Sequence, residues 1–309
     1  MFLKHLVFCV GDECNKNCSY CFEKHNKRYE FPHTLTDDMR KWLSENITKF
    51  NRLTIVGGET LLYLDTIYEL LDLAPLYMKK MVITNGTLLT NNIVDKLNSY
   101  NTTIQISHDG ELTNELRGFD VLSTNLDVIK RIEDLSVVST ITAKNLSIVN
   151  NYQYIKNILQ DKEFKYSFNI YMNKSMEDDL LVGFDYGMLR KQLIEIHVLY
   201  SDKLSNRLSY YKNRDDVLGT QLLLNGDVIE LKTAKKYGNI IYDKEEDIID
   251  RINADFTHCI SCQYDAVCFG KRQLANEHIC KTFKAIYEAK EYIEKNGAEL
   301  FAKLHRNGY

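Results

Sequence analysis

An α/β fold built on a parallel sheet is what this 309-residue chain predicts, on three observations. Short β-branched or apolar runs alternate with stretches of helical spacing through the first two thirds. Only two prolines interrupt the chain. With 44% hydrophobic residues it has enough apolar surface to offset its chain entropy by burial, which excludes disorder.

The strand-like runs are residues 3–10, 52–56, 79–84, 102–107, 136–142 and 165–171. Between them lie helical patterns at 36–50, 61–73, 90–100, 120–134 and 147–160, with a last one at 186–201. Strict alternation of six strand and helix pairs calls for parallel strands joined by right-handed crossovers. Thr36 ahead of Asp37 and Asp38 reads as a helix cap followed by charges suited to the positive end of a helix. Thr90 stands in the same way ahead of Ile93, Val94 and Leu97. A doubly wound sheet and an incomplete barrel both satisfy this pattern. Beyond about residue 201 the texture changes. Residues 204–214 are polar and Tyr-rich, and 219–230 (GTQLLLNGDVIE) read as two short strands joined at Asn225-Gly226. Residues 281–305 return to helical periodicity. A boundary near 205 divides the chain into 1–204 and 205–309.

The net charge of -4 gives no reason to expect nucleic acid as partner. The apolar opening, MFLKHLVFCV, is too short and too polar for a membrane span, and no other stretch comes near the length required. Without a secretory signal, the eight cysteines point to a cytoplasmic protein whose thiols bind metal or do redox chemistry rather than form disulfides.

Cys14, Cys18 and Cys21 stand in CNKNCSYC, directly after the first strand. Three thiolates so spaced at a strand's C-terminal end suit one iron–sulfur cluster, with a zinc loop as the alternative. Three ligands for four irons leave one iron open. The C-x3-C-x2-C run with Tyr20 before its last cysteine resembles the signature of the radical S-adenosylmethionine (SAM) superfamily. Further motifs close the following strands. Gly57-Gly58-Glu59 resembles that family's GGE, Thr84-Asn85-Gly86 its TNG, and Ser107-His108-Asp109-Gly110 the S-x-D-G of its peptide-modifying members. The resemblance implies a partial (β/α)6 barrel, in agreement with the six pairs. It also implies a 4Fe-4S cluster on the three cysteines and SAM contacts from Tyr20, Gly57, Gly58, Glu59, Ser107 and Arg117. Thr60 departs from the proline common after GGE.

Cys259, Cys262, Cys268 and Cys280 form C-x2-C-x5-C-x11-C, a closed set for zinc or for a second 4Fe-4S cluster. The run resembles the SPASM/twitch tail of radical SAM enzymes, which implies a small α+β domain with one auxiliary cluster. The companion inner cluster of such tails is missing, because Leu231 and Arg272 stand where its cysteines would be. Cys9 remains, as a buried small hydrophobe or as a hydrogen donor of the kind radical epimerases require. His108 is a candidate substrate contact at the barrel mouth, while His258 and His278 read as surface residues or as residues behind the second cluster. Tyr152, Tyr154, Tyr166 and Tyr171 read as packing residues, and Glu245-Glu246-Asp247 as a solvated face.

The resemblance implies an enzyme that draws a hydrogen atom from a ribosomally made precursor peptide, to form a crosslink (carbon–carbon or thioether) or to epimerise a residue. Its expected partners are that peptide and an electron donor, a flavodoxin, a ferredoxin or another reductase. Since the first strand begins at about Leu3, leader recognition is expected from the barrel rim, the tail or a separate leader-binding protein. The sulfatase-maturing branch fits less well, because Lys232 takes the place of its catalytic aspartate. A twitch-type enzyme acting on a small molecule, and a zinc-stabilised binding protein, are the competing readings.

Overall fold

The computed structural model describes residues 5–21, 32, 34–171, 178–205, 220–230, 235–254 and 277–306. Strands β1 (His5–Cys9), β2 (Arg52–Val56), β3 (Lys79–Thr84), β4 (Thr102–Ser107), β5 (Leu135–Ile141) and β6 (Lys165–Ile170) each pair in parallel with the next. That sequential order decides between the two topologies. A doubly wound sheet would reverse its strand order near the middle, whereas an unbroken series wound one way is an incomplete barrel. The connections carry α1 (Asp37–Asn46), α2 (Leu64–Leu73), α3 (Asn91–Ser99), the short α4 (Thr113–Arg117), α5 (Val121–Thr124) and α6 (Leu126–Lys130), then α7 (Ile148–Leu159) and α8 (Tyr186–Tyr200). Thr36 caps α1 by accepting from Met39 N, and Thr90 caps α3 by accepting from Ile93 N, as the sequence predicts.

Alternation of side chains sorts each strand into two faces. Leu6, Phe8, Leu53, Ile55, Val82, Ile104, Ile106 and Val137 join Leu43, Ile67, Leu70, Val94 and Leu97 of the helices in one continuous core. Fully burying such a side chain is worth roughly 1.5–3 kcal/mol. The opposite face turns polar from β4 onward: Gln105 Nε2 donates to both Ser136 Oγ and Ser167 Oγ at 3.1 Å. Nearer β1, His5 Nε2 lies 2.8 Å from Thr54 Oγ1.

The tail continues this sheet. Strand β7 (Thr220–Leu223) pairs in parallel with β1, matching Leu222 to Phe8 and Leu223 to Cys9. Strands β8 (Asp227–Glu230) and β9 (Lys235–Asn239) then follow antiparallel, giving the order β6-β5-β4-β3-β2-β1-β7-β8-β9. The predicted hairpin turns at Asn225-Gly226, where Gly226 takes φ +87. Asn239 Nδ2 braces it by donating to Asn225 O and Asp227 Oδ1 at 3.0 and 2.8 Å. Helix α9 (Glu245–Ala254) carries Glu245, Glu246 and Asp247 in its first turn, where negative charge suits the helix dipole. Helix α10 (Glu277–Arg306) packs along α8. Among the described residues no helix is long and apolar enough to cross a membrane.

Candidate active site

The three-cysteine loop leaves β1 and is fastened to the ends of its neighbours by backbone contacts. Gly58 N donates to Gly11 O at 2.9 Å and Glu59 N to Glu13 O at 2.7 Å. These bonds bring the two chains so close that a Cβ on Gly58 would sit 2.4 Å from Glu13 O, and one on Gly57 2.8 Å from Gly11 O. The glycine pair is therefore needed for the loop to lie on the end of β2. Glu59 turns the other way. Its buried carboxylate accepts from Thr84 Oγ1 at 2.6 Å, Asn85 N at 2.8 Å and Leu61 N at 3.0 Å, tying the GGE turn to the end of β3. Burial pushes this carboxyl up and the three hydrogen bonds pull it back. Thr60, the departure from the family pattern, gives its hydroxyl hydrogen to Ile83 O on β3, a bond proline lacks.

The TNG turn holds the loop from a second side. Asn85 Nδ2 donates to Asn15 Oδ1 at 2.8 Å and lies 3.9 Å from Cys14 Sγ, which also accepts from Lys16 N at 3.4 Å. Asn15 Nδ2 reaches on to Thr87 Oγ1 at 2.9 Å. From a third side, Ser19 N donates to Leu116 O of α4 at 2.8 Å. Cys14 is exposed while Cys18 and Cys21 are half-buried. Burial pushes the Cys14 and Cys18 thiols up; neighbouring sulfurs add to this, and Arg117 pulls Cys18 down. A cluster binding here displaces thiol protons. Three thiols on one loop, with N–H donors aimed at one sulfur, suit a polynuclear cluster that takes one thiolate per iron.

Beyond β4, Asp109 is fully buried and pairs with Arg117, whose Nε lies 2.8 Å from Oδ2 and whose Nη2 donates to Oδ1 at 3.1 Å. The Tyr20 hydroxyl donates to the same carboxylate, and the Arg117 guanidinium sits 5.2 Å from the Tyr20 ring centre. Burial works against the Arg117 charge, but Asp109 and Tyr20 outweigh it and hold the guanidinium protonated. Arg117 Nε and Nη2 both face the Asp109 carboxylate, which fixes the guanidinium in the plane of that pair. Ser107 ends β4, half-buried.

His108 is not at the mouth. It is fully buried, its Nε2 3.0 Å from Asp120 Oδ1 and its Nδ1 accepting from Gly110 N at 3.2 Å, with the Tyr154 ring stacked against it. Both nitrogens are spent holding the turn after β4, which removes it as a substrate contact. His278 is likewise buried rather than at the surface: its Nε2 donates to Tyr171 O at 2.9 Å and its Nδ1 lies 2.9 Å from Tyr186 Oη, anchoring α10 to β6 and α8. Cys9 is 1% exposed and packs with Leu223, Ile229 and Val56, its thiol 3.7 Å from Gly11 O. Cys280 is exposed on the first turn of α10. Cys259, Cys262, Cys268, His258, Leu231, Lys232 and Arg272 lie outside the described residues. Sequence reasoning passed over Asp109 and Asn15 as working residues, although both lie inside the motifs it quoted.

Comparison with known proteins agrees with this geometry. Residues 8–138 match the family model described as the Radical SAM superfamily. The chain is 23% identical over an alignment of 355 residues to the radical SAM cyclopropyl synthase TigE of Paramaledivibacter caminithermalis, covering 98% of this chain and 73% of that protein. It is 26% identical over 191 residues to an uncharacterised protein of Methanocaldococcus jannaschii, covering 57% of this chain and 65% of its relative. The fold matches that of anSMEcpe with bound AdoMet and Cp18Cys peptide at a TM-score of 0.67, with 18% identity over 98% of this chain and 99% of that one. The three-cysteine loop and strands β2 to β4 lie within residues 8–138, the part of the chain that matches the Radical SAM superfamily.

Proposed function

We propose that this protein is a peptide-modifying radical SAM enzyme that forms a bond within a ribosomally made precursor peptide. The observation that carries the reading is the convergence of the Cys14, Cys18 and Cys21 loop, the Gly57-Gly58 turn and the buried Arg117 at one end of the parallel strands. When bound, the cluster and SAM supply one-electron cleavage of the sulfonium and hydrogen abstraction from carbon. The chain's own residues do the positioning. Cys14, Cys18 and Cys21 would hold the cluster, Arg117 and Ser107 would meet SAM, and the Glu59 and Asn85 bonds fix the loop between them.

A peptide as substrate is supported by the anSMEcpe structure with its bound peptide, and carbon–carbon bond formation rather than epimerisation by the cyclopropyl synthase relative. The same reading places the barrel in residues 1–204 and a SPASM/twitch-like tail in 205–309. There, Cys259, Cys262, Cys268 and Cys280 would hold one auxiliary cluster whose four thiolates leave no iron open for substrate. Electron delivery by a flavodoxin or ferredoxin, and leader recognition by the rim or a separate protein, belong with it. The burial of Cys9 favours its role as a small hydrophobe.

Anaerobic reconstitution tests the reading. A brown protein with about eight irons, about four of them lost on replacing Cys14, Cys18 and Cys21 by Ala, is expected to turn SAM into 5′-deoxyadenosine under dithionite. With a peptide encoded beside the gene, bond formation lowers the peptide mass by about two daltons: SAM is the net two-electron oxidant, one hydrogen leaving in 5′-deoxyadenosine and the other as a proton. An epimerase instead takes up one deuterium from D2O. Colourless protein holding zinc, without SAM turnover, would overturn the proposal.

A further inference from the structure

We propose that Asp109 is a positioning residue that fixes Arg117 and Tyr20 as one unit, so that SAM meets a preset cation and the cluster loop cannot move independently of it. This rests on the reading that the three-cysteine loop holds the cluster and that Arg117 faces SAM.

Three separate segments converge on one fully buried carboxylate. Arg117 comes from α4, the Tyr20 hydroxyl from the cysteine loop, and Thr140 N from β5, which donates to Oδ1 at 2.7 Å. A carboxylate so buried is tolerated only when its oxygens are satisfied, and these donors satisfy both. Asp109 is itself held. Its N–H donates to Thr113 Oγ1 at 3.1 Å. The following Gly110 adopts φ +68, with Asn151 Oδ1 2.4 Å from where a Cβ would stand, so the turn has one geometry.

Tyr20 lies between Cys18 and Cys21, and the Arg117 guanidinium sits 5.2 Å from its ring centre while both side chains meet Asp109. The carboxylate therefore couples the cluster's ligand loop to the cation beside it. A free arginine side chain would have to be ordered as SAM binds, whereas this one is ordered beforehand by its pair with Asp109.

The experiment uses the reconstituted holoenzyme and SAM itself as probe. Iron content, the SAM dissociation constant and the change that SAM induces in the reduced cluster's paramagnetic resonance spectrum are read on the same samples. Asp109→Asn is expected to retain its iron yet bind SAM roughly 10–100-fold more weakly, as loss of an outer-shell partner does. Asp109→Glu is expected to recover part of that loss. In an Arg117→Lys background, Asp109→Asn should add less than about threefold, since the two act as a unit. Wild-type SAM affinity in Asp109→Asn, or full additivity with Arg117→Lys, would overturn the proposal.

Should Asp109→Asn fail to fold, Tyr20→Phe and Arg117→Lys form a second cycle. Non-additive SAM affinities are expected, since the two side chains share one carboxylate, and additive ones would refute the coupling. Absence of SAM binding by the unsubstituted enzyme is a different result, and would defeat the radical SAM reading of the site rather than the role of Asp109.

Discussion

At Gly58 the chain leaves no room for a side chain, because two backbone oxygens of the cysteine loop stand 2.4 and 2.5 Å from where a Cβ would be. Gly58→Ala must push the loop away and break bonds to Gly11 O and Glu13 O, each worth about 0.5–1.5 kcal/mol. The expected outcome is a folded protein that loses iron faster to a chelator, measured as bleaching after anaerobic reconstitution; bleaching at the unsubstituted rate would show that the loop does not depend on this contact. His5 makes a different prediction. Burial, with the Arg52 charge second, lowers its pKa from the ordinary 6.5 to about 4, so the fold keeps it neutral beside Thr54. Its contribution is complete above pH 6.5 and is lost as the pH falls from there toward 4, where the folded chain must protonate it. His5→Gln should flatten that acid limb of stability by at most about 3 kcal/mol, read from thermal midpoints across the range. Coincident limbs for the two proteins would count against it. The three loop cysteines are legible in sequence because their spacing is local. Asn85 and Asp109 acquire their roles from Asn15 and Tyr20, 70 and 89 residues away, and no local pattern registers such partners.

Elements show the same division. The six parallel strands are legible because each is a short apolar run between capped helices, and Thr36 and Thr90 mark two helix starts correctly. Between β4 and β5 the sequence predicts one helix over 120–134 where the structure has short pieces. Gly118 ends α4 in the left-handed region at φ 76, Asp120 caps α5 by accepting from Ser123 N, and Asn125 breaks the chain again before α6. Strand β9 escapes notice because KKYGN lacks the β-branched residues that announce a strand; it forms by pairing with β8. Nor does any pattern say that β7 joins β1, since a strand's spacing names no partner. That pairing places Leu223 and Ile229 over Cys9. Ile229→Ala should cost about 2–4 kcal/mol, the usual range for emptying a buried aliphatic site. It should also make Cys9 reactive toward a thiol reagent, followed by mass-spectrometric mapping of the peptide containing it. If Cys9 stays unlabelled in that variant, the hairpin is not what shields it.

Taken whole, the molecule has a site built by one part of the sheet and a stability that depends on the rest. The loop contacts come from the ends of β2 and β3 and from α4 and Asp109, all before residue 118. Strand β1, however, is an interior strand only because β7 covers its outer edge, and α8 is buried because α10 lies along it. Cutting the chain after residue 204 would bare the N–H and C=O row of β1, a ready template for aggregation. It would also strip Ile279, Phe283, Ile286 and Ala289 from the core they share with Leu189, Leu193 and Ile196. At about 1.5–3 kcal/mol for each large apolar side chain, losing those four residues is comparable with the whole stability of a domain, about 5–15 kcal/mol. Residues 1–204 expressed alone are therefore expected to be insoluble or aggregated on size-exclusion chromatography, while the full chain with all four tail cysteines replaced by Ala stays soluble and keeps the iron of the barrel cluster. Were the fragment to elute as a monomer with about four irons, the barrel would be self-sufficient and the tail's strands an appendage to it. The contrast between the two proteins separates the tail's mechanical role, closing the edge of β1, from any role of its cysteines in moving electrons.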